Sequence, residues 1–85
     1  MYYQFWEACF DPCDGRGRYA DLRGVRADST NKQLISLALQ ALNLEGVTTG
    51  AIEDISDDAA WALKTPVKRR SELVGYLYVQ HEFNN

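Results

Sequence analysis

Hydrophobic residues recur at helical spacing between residues 30 and 44, and this is the clearest pattern in the chain. The repeating positions are Leu34, Leu37, Ala38, Ala41 and Leu42, with Ile35 and Leu39 widening the stripe. Such a stripe is typical of an amphipathic helix with one broad buried face. Ser29 or Thr30 can cap its first turn, and Gly46 suits a left-handed stop after its last. The pattern predicts a helix over residues 30–44.

The chain begins with an aromatic segment that predicts a strand. Residues 2–10 read YYQFWEACF and end at the turn-forming pair Asp11 and Pro12. Alternate residues would make both faces apolar, which is typical of a central strand or of one that shows aromatic side chains to a partner. Residues 11–18 contain one proline and two glycines and predict a loop.

A second, less regular strand is predicted over residues 18–27. Its apolar residues Tyr19, Leu22 and Val25 are three apart, but Gly24 and the charges make a poor helix. We therefore expect a strand that forms a hairpin with the first one, with a β-bulge at Gly24.

Short elements are predicted after the central helix. Residues 47–55 contain β-branched residues and favour a short strand interrupted by Gly50, the alternative being a helix from about Thr49. Ser56 can cap a helix over residues 57–64, because the aspartates that follow it complement the positive end of a helix dipole.

Thr65 and Pro66 fit the cap and first position of a further helical turn or two, ending near residue 72. Residues 73–83 read LVGYLYVQHEF. They can continue this helix, but Gly75 and the density of Val and Tyr favour a strand. We expect that strand to pair with the first one, which would bring together Phe5, Trp6, Tyr76, Leu77 and Tyr78.

These elements predict an α+β fold in a single domain over residues 1–85. A small, mainly antiparallel sheet of three or four strands would be packed by one main helix (residues 30–44) and by one or two short helices (residues 57–72). A chain of 85 residues has room for one modest core, and its 46% hydrophobic content is too high for disorder.

Neither a leader nor a membrane segment is expected, because no basic residues precede an apolar run and no run approaches the roughly 18 apolar residues of a membrane helix. We therefore predict a cytoplasmic protein. Cys9 and Cys13 flank a turn at poor disulfide spacing and are expected to be free thiols. Zinc would need two more ligands, and Asp14 with the distant His81 makes a weak set.

Charge is divided unevenly along the chain, whose net charge is −3. Residues 1–32 hold five acidic and five basic side chains, residues 33–63 hold five acidic and no basic ones, and residues 64–85 hold four basic and two acidic ones. The simplest interpretation is a solvated surface with internal pairing. The functional interpretation is an anionic surface that docks a basic protein partner around an aromatic anchor. Its candidate residues are Glu53, Asp54, Asp57, Asp58 and Trp61.

Two basic groups provide an alternative surface, for nucleic acid. Its candidate residues are Arg16, Arg18, Arg23, Arg26, Lys68, Arg69 and Arg70. The isoelectric point of about 4.9 argues against a long polyanion as partner. In a helix-turn-helix arrangement with residues 57–70 as the reading helix, Asp57 and Asp58 would face phosphate and repel it.

No catalytic motif is present in the sequence. His81 is the single histidine, and nothing in the sequence singles out Cys9 or Cys13 as a catalytic thiol beside it. The glycines of residues 15–18 do not lie between a strand and the start of a helix, as those of a phosphate-binding loop would. We predict no enzymatic activity, no cofactor and no metal. The favoured hypothesis is a small interaction protein that acts as a regulator, adaptor or inhibitor, of the kind common among phage and mobile-element accessory proteins. The alternatives are a nucleic-acid-associated regulator and a homodimeric module that pairs through a strand edge.

Overall fold

The computed structural model describes residues 3–26 and 28–82. Tyr2, Ala27 and Phe83, at the ends of predicted strands, lie outside these residues, as does the side-chain environment of Phe5. The elements in chain order are β1 (Tyr3–Pro12), β2 (Arg18–Arg26), α1 (Asn31–Ala41), β3 (Thr48–Thr49), β4 (Glu53–Asp54), β5 (Ala60–Arg69) and β6 (Glu72–Glu82).

All strand pairs are antiparallel, and the strands lie in the order β2-β1-β6-β5-β3, with β4 also on the outer side of β5. The predicted pairing of the first and last strands is confirmed. Its register aligns Phe10 with Leu77 and Asp11 with Tyr76. Trp6 therefore lies beside His81 and away from Tyr76, so the predicted clustering of Trp6 with Tyr76, Leu77 and Tyr78 is wrong.

The predicted bulge in β2 is confirmed, since Gln4 pairs with Val25 and Trp6 pairs with Leu22. Two residues, Arg23 and Gly24, thus oppose one residue of β1. This extra residue explains the spacing of the apolar positions: Leu22 and Val25 are three apart and yet both are buried.

Thr30 caps α1, as predicted, through a reciprocal pair of hydrogen bonds with Gln33. The helix ends at Ala41, three residues earlier than expected, because Asn43 takes the left-handed conformation there (φ 55°). The Leu44 N–H then donates to the Leu39 carbonyl oxygen at 2.9 Å, which closes a Schellman motif. In the described chain no helix is long and apolar enough to cross a membrane.

The predicted α+β class is wrong: the fold is mainly β, a six-stranded antiparallel sheet with one short helix in the described residues. Residues 57–72 contain no helix; they form a turn, then β5, then a tight turn into β6. The local residues favour a helix here, but pairing between strands is more favourable, because β5 pairs with β6 along its whole length. Residues 47–55 form the predicted interrupted strand, as β3 and β4, and not the alternative helix.

Pro66 explains why the strand over residues 47–55 is interrupted. Its carbonyl accepts from the Gly50 N–H at 3.0 Å, so Pro66 faces the outer edge of β5, where its missing N–H cannot continue the ladder. The pairing with β5 therefore stops between β3 and β4, opposite this proline.

The core lies between one face of the sheet and α1. It contains Trp6, Ala8, Phe10, Leu22, Val25, Leu63, Thr65, Val67, Leu77 and Val79 from the sheet and Leu34, Ile35, Ala38 and Leu42 from the helix. Leu37 and Ala41, which were expected in the buried stripe, are exposed. On the opposite face the half-buried side chains include Cys9, Lys64, Tyr76 and Tyr78.

Candidate interaction site

Three aromatic side chains form a row across one end of the sheet, on the face that carries α1. His81 of β6 pairs with Trp61 of β5, and Trp6 of β1 lies on its other side. The His81 ring centroid is 5.2 Å from that of Trp6 and 5.5 Å from that of Trp61. The two indole rings are 6.4 Å apart and within 22° of parallel. Trp6 and Trp61 are on strands separated by β6, and the usual strand spacing would place them nearly 10 Å apart. The shorter distance shows that the two side chains lean toward each other across β6.

The two tryptophans differ in exposure. Trp6 is buried, at 7% exposed, whereas Trp61 is 45% exposed. The core therefore covers the Trp6 side of the row, whereas almost half of the Trp61 surface is exposed.

A groove with a volume of about 210 Å³ opens beside this row, between the start of α1 and the segment that follows β4. Its lining includes Trp6, Leu34 and Leu63 from the core and Asp54, Ser56 and Trp61 at the rim. Arg26 also lines it and is bound to Asp28, with 3.2 Å between Nε and Oδ1.

Asp54 supplies the negative charge of the groove. Hydrogen bonds from Ser56, first through its hydroxyl and second through its backbone N–H, lower the pKa of the Asp54 carboxyl. The backbone bond to Oδ1 measures 2.9 Å. Ser56 is itself held by β5, since its hydroxyl oxygen accepts from the Ala62 N–H at 2.9 Å. These hydrogen bonds favour the ionised carboxylate, which lines the same groove as Trp61.

The other predicted acidic residues lie nearby but have different environments. Asp57 Oδ1 accepts from the N–H groups of Ala59 and Ala60, at 2.8 and 3.0 Å, and shapes the turn into β5. Asp58 is exposed in the same turn, and Glu53 pairs in register with Lys64.

All five predicted partner-binding residues thus lie in one stretch around the start of β5, but only Asp54 and Trp61 line the groove. The prediction that they surround the start of a helix is wrong, because Trp61 is the second residue of a strand.

Three of the predicted nucleic-acid-binding residues make contacts within the chain. Arg18 Nη1 donates to the Leu42 carbonyl oxygen at 3.3 Å, Arg69 Nη2 donates to the Glu45 carbonyl oxygen at 3.2 Å, and Arg26 binds Asp28. The others are Arg16, Arg23, Lys68 and Arg70, which are exposed. The helix-turn-helix arrangement is wrong, because residues 57–70 are a strand with its flanking turns.

The thiols and the histidine lie apart. Cys9 pairs with Tyr19 and Tyr78 on the sheet face opposite α1, whereas the His81 ring contacts Trp6 on the α1 face. Burial raises the pKa of the Cys9 thiol, and a hydrogen bond from Tyr19 acts in the opposite direction. Cys13 is exposed. In residues 3–26 and 28–82, no three His, Cys, Asp or Glu side chains are grouped so that they could hold a metal ion.

Sequence reasoning missed Trp6 and His81 as members of the site. A signal was present, since pairing of the first and last strands was expected and Trp6 and His81 belong to those strands. The third member, Trp61, was predicted to lie in a helix. Its position beside His81 depends on the register between β5 and β6, which that prediction excluded.

No protein family, curated protein or solved structure matches this chain.

Proposed function

We propose that this protein is a non-enzymatic interaction protein that binds a basic segment of a protein partner. The observation that carries the proposal is that Trp61 and Asp54 line the same groove, one with a half-exposed indole and the other with a carboxylate that accepts a hydrogen bond from Ser56. An arginine or lysine side chain can satisfy both at once, by stacking on the indole face and by pairing with the carboxylate.

The charge around the groove supports a cationic partner. Asp57 and Asp58 lie in the exposed turn that leads into β5, whereas Glu53 pairs in register with Lys64 on the opposite face of the sheet. Residues 33–63 contain no lysine or arginine. Among the described residues that line the groove, Arg26 is the one lysine or arginine, and Asp28 offsets its charge. A surface of one sign also attracts an oppositely charged partner and raises the rate of association.

The aromatic row supports a role for Trp61 as an anchor. Tryptophan residues that are packed on one side and exposed on the other are frequent binding hot spots, and losing one commonly costs about 2 kcal/mol or more of binding energy. We include a cytoplasmic location in the proposal, in keeping with two thiols that are not joined in a disulfide.

The test uses a short arginine-containing peptide and the same peptide with citrulline in place of arginine, which keeps the shape and removes the charge. Binding is followed by the NMR shifts of the backbone N–H groups, which all the variants retain. We expect the arginine peptide to bind at least about tenfold more tightly, and Trp61→Ala and Asp54→Asn each to weaken it by about tenfold or more.

Leu73→Ala is the matched control, because Leu73 is 42% exposed at the other end of β6. It should leave binding unchanged. Equal binding of the two peptides, or binding that survives both Trp61→Ala and Asp54→Asn, would refute the proposal.

A further inference from the structure

The two edges of the sheet differ in how far they are covered by other backbone segments. Beyond β5, the strands β3 and β4 and the backbone bonds from Ile55 to Ala62 and from Asp57 to Ala60 cover the edge. On the other side the strand order ends at β2, which is nine residues long. The backbone groups along the outer side of such a strand are a template for another strand.

An apolar groove runs beside this edge. It lies between β2 and α1, has a volume of about 340 Å³, and is lined by Leu22, Val25, Leu37 and Ala41 among others. Leu37 and Ala41 belong to the hydrophobic stripe of the helix and are nevertheless exposed. The apolar face of α1 is therefore wider than this sheet covers, and the surplus lies on the β2 side.

The charges in the middle of β2 are complementary to those of a second β2, whereas the arginines Arg18 and Arg26 lie at its two ends. Asp21 and Arg23 are two residues apart and so lie on the same face of the strand. In an antiparallel pair of β2 strands centred on Leu22, Asp21 of each copy lies directly opposite Arg23 of the other. A pair centred on Asp21, which requires one strand to slide by two residues, would place the two Asp21 side chains opposite each other, which is unfavourable.

We propose that two copies of this chain associate through β2, with a two-fold axis through the Leu22 pair that joins their sheets into one. The bulge formed by Arg23 and Gly24 limits the regular pairing to residues 21–23 around the axis. Both α1 helices then lie on the same side of the joined sheet, and Leu37 and Ala41 of each are covered at the axis. The charged side chains that would otherwise protect this edge from strand addition select the one register in which they pair.

The predicted interface is small, so we expect a weak dimer with a dissociation constant in the micromolar range. Sedimentation equilibrium from about 1 µM to about 500 µM spans that range. The full chain should change from monomer to dimer mass as its concentration rises.

The register is tested by a charge swap. Arg23→Asp places like charges opposite each other and should weaken the dimer by about tenfold or more, whereas Asp21→Arg with Arg23→Asp re-forms both pairs across the axis and should restore it. Circular dichroism confirms that each variant is folded. A chain that stays monomeric throughout, or a swap that fails to restore what Arg23→Asp removed, overturns the proposal.

A second variant tests the apolar part of the interface. Leu37→Asp changes an exposed position and should weaken the dimer, whereas Leu73→Asp, a similarly exposed leucine far from β2, should not. A dimer that survives both Arg23→Asp and Leu37→Asp uses another surface, and this result also overturns the proposal.

Discussion

The Thr65 hydroxyl donates a hydrogen bond to the Gly50 carbonyl oxygen at 3.1 Å, across the point where the covering strand of β5 is interrupted. Thr65 is completely buried. This contact satisfies a backbone carbonyl beside Pro66, where the ladder cannot continue. The Thr65 hydroxyl thus supplies the hydrogen bond that the backbone of Pro66 cannot donate, and it links β5 to the segment between β3 and β4.

Replacing Thr65 by valine keeps the shape and removes this donor. We expect the free energy of unfolding to fall by about 1 kcal/mol, the usual cost of losing a partner for a largely buried polar group. Urea denaturation measures the change. Thr48→Val, at an exposed position of β3, is the matched control and should change stability by less than about 0.5 kcal/mol. Equal effects at both positions would show that the hydrogen bond does not contribute.

Gly75 lets the end of β1 approach β6 closely. A Cβ at this position would lie 2.5 Å from the Asp11 carbonyl oxygen and 2.8 Å from Pro12 Cα, and neither backbone atom can rotate away. Gly75→Ala should therefore lower the free energy of unfolding by about 1 to 3 kcal/mol, the range for overpacked sites.

Thermal or urea unfolding checks this prediction against Gly17→Ala, where the added Cβ meets the nearest atom at an ordinary 3.4 Å. A Gly75→Ala variant as stable as the Gly17→Ala variant would mean that β1 and β6 can separate at this point without cost.

The turn between β5 and β6 carries conformational strain. Arg70 and Ser71 connect the paired residues Arg69 and Glu72, and both have positive φ, 52° and 68°. Two-residue hairpin turns of this kind favour Asn followed by Gly, because a Cβ is costly in the left-handed region. Ser71→Gly should raise the free energy of unfolding by about 0.5 to 1 kcal/mol. A decrease in stability would contradict the left-handed conformation of Ser71.

The same turn shows why part of the fold could not be predicted from the sequence. Arg70 and Ser71 are not typical hairpin residues, so the break between β5 and β6 carries no local signal. Without a recognisable turn at Arg70 and Ser71, Ser56 and Asp57 predicted the start of one helix and Pro66 predicted the start of another. The strand is favoured by pairing with β6, an interaction with residues that are distant in the sequence.

Local signals sufficed elsewhere. Thr30 and Gln33 form the predicted start of α1 within four residues, and Gly24 marks the bulge of β2. The candidate site could be predicted from the sequence only in part. Asp54 and Trp61 could be proposed from charge and aromatic character, but their shared groove depends on the pairing of β4 with β5 and on the start of α1, which are distant in the sequence.

Arg18 stabilises the end of α1 that Asn43 terminates. Its guanidinium donates to the Leu42 carbonyl oxygen, where the helix dipole is negative. Arg18→Gln should lower the free energy of unfolding by about 0.5 to 1 kcal/mol, and the loss should shrink at high salt. Arg16→Gln, two residues away in the exposed loop, should leave stability nearly unchanged. If the two variants unfold alike, Arg18 does not stabilise the helix end.

The two cysteines should react at different rates, because they differ in exposure and in environment. Cys9 is half-buried and its thiol pKa is raised, chiefly by burial, so little thiolate forms there near neutral pH, whereas Cys13 is exposed. Iodoacetamide should therefore modify Cys13 several-fold faster than Cys9, as measured by mass spectrometry of the digested protein. In urea the two rates should converge, because unfolding removes the burial that protects Cys9. Faster modification of Cys9 in the folded protein would contradict its position on β1 between Tyr19 and Tyr78.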